Sequence, residues 1–501
     1  MDVRGFGGGW LVGLGVALAA CATATGPESG QPSASSGDAG AGVSADAGSP
    51  PDAAGEVDAM AADAAVEAAG PVRVDVPATP CEDSVDAAYV TPAGLPPMTD
   101  ARRGDVVRCA PDQGYDVAAA QAAIAGKGIT MTATSGAKVY RVLYRTTRGD
   151  GSPGVSSARV YLPTVPRALP LPVIVVGHPS EGIADGCAPS KSATSNQDLA
   201  LPWAALGYAV IVPDYAGLGT DGVQGYLDNH DQGYSLLDGA RALRRLVAAG
   251  AFSPKIALFG YSQGGGAALS GQALAKSYGA DGDVAAVVAF APQWPTRMNS
   301  FGYVSMLRNP TGLTIGTGIS KSAIVAVREY AYFGNQPGAG PGDGYPAAKR
   351  DALAGAANTL CLVPLGGFIQ ASEPKLGDLI DDTLRTSLLA CIDGTPGCME
   401  PGASYHRFLS DNILRADPTG APILMVQGLA DQIMLPAEEA ACTIDKLVAE
   451  GITPDVCADL AATHASVLSR NVMTGIAWVR AKLDGTATPS CSSVGMPSCT
   501  P

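Results

Sequence analysis

From about residue 138 onward, short runs of β-branched and aliphatic residues alternate with stretches whose apolar positions recur at helical spacing. That alternation predicts an α/β sheet. Strands are expected at 138–146, 157–162, 172–176, 208–212, 255–260, 285–291, 422–427 and 455–458, and helices at 234–249, 264–278, 437–450 and 466–483. The first two strands read as a hairpin. The later ones are nearly continuous apolar runs, as parallel strands covered on both faces require. Between the strand ending near Pro292 and the one beginning at Pro422 lie about 130 residues, far more than an ordinary connection. An inserted helical cap is expected over about 293–420, with helices at 320–333, 345–357 and 375–389 and a turn rich in Gly and Pro at 335–343. It leaves after one strand end and returns before another, so it should lie over the face where open α/β sheets hold their ligands.

The chain before this alternation has a different character. Arg4 precedes an apolar stretch from Trp10 to Ala20 that ends in Leu18-Ala19-Ala20-Cys21. The stretch is too short for a mature membrane span and fits an export signal over 1–21. Its last four residues resemble a bacterial lipobox, which implies acylation of Cys21 and anchoring of the exported protein to a membrane. Residues 22–76, dominated by Ala, Gly, Ser, Asp and Pro, have too little apolar surface to offset chain entropy and read as a tether. The expected catalytic domain is 77–485, followed by a tail at 486–501.

Composition narrows the partners. Of 501 residues 47 are acidic and 32 basic, a formal charge of −15, the wrong sign for holding nucleic acid. Four histidines occur, with no H-E-x-x-H pattern, so no metal site is expected. Apart from Cys21 there are ten cysteines, an even number that reads as disulfides in an exported chain. Short separations suggest Cys442 with Cys457, and Cys491 with Cys499 as a staple on the tail.

Gly260-Tyr261-Ser262-Gln263-Gly264 is the one G-x-S-x-G match, and it sits between a predicted strand and a predicted helix, where a nucleophilic serine on a sharp turn belongs. Gly260 and Gly264 supply the small neighbours that the turn demands. The N–H of Gln263 is placed as an oxyanion donor at the helix start. A serine hydroxyl needs a base, and the base needs an orienting acid. Of the histidines after Ser262, His464 lies beyond the last predicted strand and is the expected base, whereas His406 falls in the cap as a structural or substrate-facing residue. Asp431 follows the strand 422–427 and is the expected acid, ahead of Asp455 and Asp459. In the loop after the strand 172–176, Pro179 has no N–H to offer, so Ser180 is the second main-chain donor, with His178 as packing or pocket lining. Asp214 and the run Asp228-Asn229-His230-Asp231 read as caps.

These residues together resemble the secretory lipase family of α/β-hydrolases, the group of the fungal lipase A type and its bacterial relatives. The likeness runs over about 139–483. It rests on Gly177-His178 through Gly182-Ile183-Ala184-Asp185-Gly186-Cys187-Ala188-Pro189-Ser190, on Val212-Pro213-Asp214-Tyr215 with Gly217 and Gly219, on Gly260 to Gly265, and on Asp431 and His464. Relatives usually carry His-Gly-Thr where this chain has His178-Pro179-Ser180. The resemblance implies an α/β-hydrolase fold, hydrolysis of lipid or small ester substrates through an acyl-enzyme, a cap that forms the acyl tunnel, and no cofactor. A short-chain or acetyl-polysaccharide esterase would use the same residues, as would a peptidase or acyltransferase. A non-catalytic surface binding lipoprotein is the alternative of another class; its expected signature, a missing triad member, is absent.

Overall fold

The computed structural model describes residues 72–311, 319–372 and 375–500. The predicted signal, Cys21 and nearly all of the tether lie outside them. Among the described residues, nine strands form one sheet in the order β1-β2-β3-β5-β4-β6-β7-β8-β9. They are β1 (Val106–Tyr115), β2 (Ala137–Thr147), β3 (Pro153–Pro163), β4 (Leu171–Gly177), β5 (Val210–Pro213), β6 (Phe252–Tyr261), β7 (Asp283–Phe290), β8 (Ile423–Gly428) and β9 (Asp455–Asp459). β1 to β3 pair antiparallel, as does β3 with β5, and every pairing from β5 through β4 to β9 is parallel. The eight predicted strands and the β2–β3 hairpin are all present. β1 is the addition: its Val106-Val107 start gives way to Arg, Pro, Asp and Gly, a composition that only an edge strand tolerates.

Alternate residues of the central strands feed two cores. Val173 and Val175, Ile256 and Leu258, and Ile423 and Met425 face one side. There they meet α3 (Asn229–Leu246), α4 (Gln263–Tyr278) and α11 (Ala441–Ala449). Ile174, Val176, Ala257, Phe259, Leu424 and Val426 face the other, against α1 (Val117–Gly126), α2 (Gln197–Ala205) and α12 (His464–Asp484). This period-2 split is what apolar runs in doubly covered strands produce. Val74 is buried in the first core, so packing reaches back past the expected boundary at 77.

Helix starts shift where a cap intervenes. α3 begins five residues before the predicted 234, because the Asp228 carboxylate accepts from the N–H groups of His230 and Asp231. α12 begins at His464, behind a capping box between Thr463 and Ser466. Among the described residues the cap holds six α-helices instead of the three expected: α5 (Tyr303–Arg308), α6 (Ile319–Gly334), α7 (Arg350–Ala357), α8 (Leu362–Ser372), α9 (Asp382–Asp393) and α10 (Gly402–Asp411). The predicted helix at 375–389 starts late, because Asp381 caps α9 by accepting from Thr383 and Leu384.

The suggested disulfides are corrected. Cys442 bonds Cys499 and Cys457 bonds Cys491, with further bridges Cys81–Cys109, Cys187–Cys361 and Cys391–Cys398. Cys457 sits in the core on the α12 side of the sheet, whereas α11 packs on the opposite side, so nearness in sequence misleads. The tail is stapled to β9 through Cys491 and to α11 through Cys499 rather than to itself.

Cys187–Cys361 closes 174 residues and ties the loop after β4 to the cap. Loop-closure entropy puts its contribution at about 5 kcal/mol. A Cys187→Ser, Cys361→Ser double variant should lose a substantial part of that in urea unfolding, and an unchanged midpoint would show that the cap is held by packing alone.

Candidate active site

The turn from β6 into α4 is set by steric exclusion. A Cβ on Gly260 would lie 2.0 Å from the Gly264 carbonyl oxygen, and one on Gly264 would lie 2.0 Å from that of Gly177. Both distances are impossible for a real side chain, so glycine is obligatory at the two positions. Between them Ser262 is forced to φ 56° and ψ −117°, a strained non-glycine conformation that costs about 1–3 kcal/mol. Its N–H donates to the Phe290 carbonyl and its carbonyl accepts from Gln293 and Gly266, so the surrounding backbone holds the strain in place.

His464 and Asp431 meet this serine. The Ser262 Oγ lies 3.0 Å from His464 Nε2, and His464 Nδ1 lies 2.8 Å from Asp431 Oδ2. As first residue of α12, His464 is fixed by its helix start, and its carbonyl accepts from the Tyr261 hydroxyl at 2.7 Å. Asp431 is buried. Its Oδ1 accepts from the N–H groups of Ile433 and Met434, both at 2.8 Å, and Gln427 Nε2 stands 3.3 Å from Oδ2. The carboxylate is therefore locked in one orientation. Asp455 takes the Trp478 indole N–H and the Lys482 ammonium, and Asp459 takes Arg470 and Asn471. Neither is bonded to His464. His406 lies on α10, apart from this constellation.

Gln263 opens α4 beside the nucleophile, so its N–H is among the donors that a helix start leaves free. Ser180 lies in the loop after β4, and its hydroxyl bonds the Tyr226 hydroxyl at 2.7 Å. The loop is held below by His178, which packs on Tyr215 with its ring nitrogens 2.6 Å from the Pro179 carbonyl and 3.3 Å from the Asp214 carbonyl. Burial holds His178 down at about 4, so it is neutral and structural. It is held from outside by the cap, where Leu362 N–H donates to the Glu181 carbonyl next to the Cys187–Cys361 bond. Asp214 is the predicted cap: it accepts from the N–H and hydroxyl of Ser190 and from the Ser157 hydroxyl. Tyr226, Gln293 and Arg328 adjoin the site without a sequence signal, since each is placed by the cap or by a strand end and none belongs to a motif. Among the described residues no group of His, Cys, Asp and Glu is arranged to hold a metal ion.

A strained serine at a strand-to-helix turn, joined through a histidine to a buried aspartate at the C-terminal ends of a mostly parallel sheet, defines an α/β-hydrolase. The secretory lipase family model matches residues 191–293, the span from α2 to just past β7 that carries Ser262, and it bears out the resemblance read from the sequence. Among solved structures, lipase A of Candida antarctica in its closed state shares 17% identity at a TM-score of 0.55, covering 79% of this chain and 87% of that one. The rice cell wall degrading esterase LipA of Xanthomonas oryzae shares 18% at 0.57, covering 77% and 100%. No curated protein matches the sequence. The family match with these lipase and esterase neighbours supports a carboxylic ester hydrolase.

Burial raises two carboxyls around the loop, Glu181 to about 7 and Asp214 to about 6, and raises Asp228 in the same direction. Stability from a raised carboxyl is fully present below its unfolded value and is lost as pH rises through its folded one. The depressed His178 runs the other way, losing its contribution as pH falls from its ordinary 6.5 through about 4. Lowering the pH from about 8 to about 6.5 should therefore raise Tm, and below that His178 offsets part of the carboxyls' continuing gain. Thermal unfolding across this range that shows Tm falling instead would contradict the assignment of buried, protonatable carboxyls.

Proposed function

We propose that this protein is an exported serine hydrolase of carboxylic esters that works through an acyl-enzyme. The observation that carries the reading is the unbroken line Ser262 Oγ, His464 imidazole, Asp431 carboxylate, with bonds of 3.0 and 2.8 Å. Ser262 attacks the ester carbonyl as His464 Nε2 takes its proton. Asp431 accepts the Nδ1–H, fixing the tautomer and stabilising the imidazolium. The N–H groups of Gln263 and Ser180 receive the negative charge that develops on the carbonyl oxygen. Collapse of the tetrahedral intermediate expels the alcohol, which takes the proton from His464. A water then gives its proton to His464 and attacks the acyl-enzyme, releasing the acid and restoring Ser262. Five disulfides among the described residues favour an oxidising compartment, and the Leu18-Ala19-Ala20-Cys21 ending supports a lipid anchor on Cys21.

Purified protein should hydrolyse p-nitrophenyl esters, and Ser262→Ala or His464→Ala should lower kcat by at least about a thousand-fold. Asp431→Asn should cost a comparable amount by trapping the wrong tautomer. Turnover that survives Ser262→Ala would remove the nucleophile assignment. Tyr226→Phe deprives the Ser180 hydroxyl of its partner, and the loosened donor should lower kcat by up to about ten-fold while KM moves little, a split read from steady-state kinetics.

A further inference from the structure

Between the cap and the turn that holds Asp431 lies a cavity of about 30 Å³ lined by Gln293, Tyr303, Met306, Lys321, Ile324, Val325, Arg328, Ile433 and Met434. It abuts the site through backbone. Gln293 N–H bonds the Ser262 carbonyl at 2.9 Å, and Ile433 and Met434 are the residues whose N–H groups hold Asp431. The Gln293 carbonyl presses on α4 so closely that a Cβ on Gly266 would lie 2.0 Å from it, so the residue has little freedom to move away.

The polar groups of this cavity are unusual for a place that would hold only an alkyl chain. Gln293 is 1% exposed, and both its Nε2 and its Oε1 are buried with no hydrogen-bond partner among the described residues. Arg328 is 7% exposed and its Nε is likewise buried and unpartnered. The guanidinium stacks 3.7 Å over the Tyr303 ring, and its ion-pair contact among the described residues, with Glu329 Oε1, is long at 3.4 Å. That carboxylate oxygen already accepts from the hydroxyls of Tyr303 and Tyr405 at 2.9 and 2.7 Å. Lys321 adds a second cation to the lining, and no acidic residue lines it. Leaving a buried amide or guanidinium N–H unpaired costs its desolvation, which a ligand with acceptor oxygens would recover. Since a water needs about 10–15 Å³ of such space, the cavity holds roughly two heavy-atom groups the size of water. A carboxylate fits that space, and a long acyl chain does not.

We propose that the cavity is a subsite for an anionic ester: Gln293 and Arg328, with Lys321 at its edge, bind a carboxylate carried a few atoms from the scissile carbonyl. The proposal rests on the ester-hydrolase reading and assigns it a substrate class, short esters bearing a free acid. Gln293 Nε2–H and Arg328 Nε–H donate to the carboxylate, against an apolar wall of Met306, Ile324, Val325, Ile433 and Met434.

Two measurements test it. In pH-stat assays the protein is offered methyl hydrogen adipate against methyl hexanoate, with the acid on the acyl side, and 4-acetoxybutanoate against butyl acetate, with the acid on the alcohol side. In at least one pair kcat/KM should favour the anionic ester by about ten- to a hundred-fold, the range for charge-assisted hydrogen bonds. The ratio should collapse toward one in Arg328→Met and Gln293→Leu and be partly kept in Arg328→Lys, whose retained cation guards against misreading a folding defect. Separately, glutarate titrated calorimetrically into the Ser262→Ala protein should bind at least ten-fold more tightly than butyrate, and Arg328→Met should abolish the difference. Ser262-dependent turnover without any preference for the anionic esters would overturn the subsite and leave the hydrolase reading standing. Glutarate binding without ester turnover would overturn the hydrolase reading and support the subsite. No difference between glutarate and butyrate would overturn the subsite outright.

Discussion

At its N-terminus helix α4 meets the ends of β4 and β6 backbone to backbone, and the site depends on that approach. The Gly177 carbonyl, the Gly260 Cα and the Gly264 peptide meet where a single methyl group on either of the last two would drive the layers apart. Because the helix starts so close to the sheet, the chain must reverse over one residue, and Ser262 takes the strained conformation that points its hydroxyl out of the turn. The same proximity puts the α4 N-terminus, with its free N–H groups and positive dipole end, beside the serine. Nucleophile exposure and anion stabilisation therefore follow from one packing constraint, and strain in Ser262 is offset by the three hydrogen bonds its own backbone makes to Phe290, Gln293 and Gly266.

The loop after β4 answers to a second constraint. It is irregular backbone at the edge of the core, and it is fixed from three directions: His178 below, wedged between two carbonyls and Tyr215; the Ser180 hydroxyl on Tyr226; and the cap, through Cys187–Cys361 and the Leu362 N–H. Pro179 fits this arrangement, since it removes backbone freedom at the one position that cannot serve as a donor. Covalent attachment of the loop to α8 means that any movement of the cap is felt by Ser180. The proposed oxyanion donor and the cap are then coupled through a bond rather than through diffuse packing.

What could be read from sequence follows from how local each feature is. The strands from β2 onward were legible because both-face burial writes itself as apolar runs, and Ser262, Asp431 and His464 were legible because each stands just past a strand whose end could be found. β1 was hidden by its edge position, which relaxes the need for apolar residues, and the half of the cap between α7 and α10 by breaks such as the Asp381 cap that periodicity does not reveal. The disulfides were misread because Cys457 and Cys442 are near in sequence yet belong to opposite faces of the sheet. Gln293 and Arg328 left no trace, since their proximity exists only after the chain has run out through the cap and back.

Arg328 also shows what the cap is built around. A guanidinium placed under α6 must be desolvated, and burial opposes its charge. Tyr405, Tyr303 and Glu329 more than offset that opposition and raise the guanidinium pKa, while burial pushes Glu329 itself toward protonation. Replacing such a buried polar cluster by apolar side chains is often neutral or stabilising. The aromatic cluster of Tyr303, Tyr332, Phe333, Tyr405 and Phe408 shows that an apolar alternative was at hand in the same layer. The cation so held and the unpaired amide of Gln293 line the same cavity, and they are the groups that the proposed anionic ester would meet there. The free acid of a short ester is the group whose charge, size and acceptor geometry match what the cavity presents.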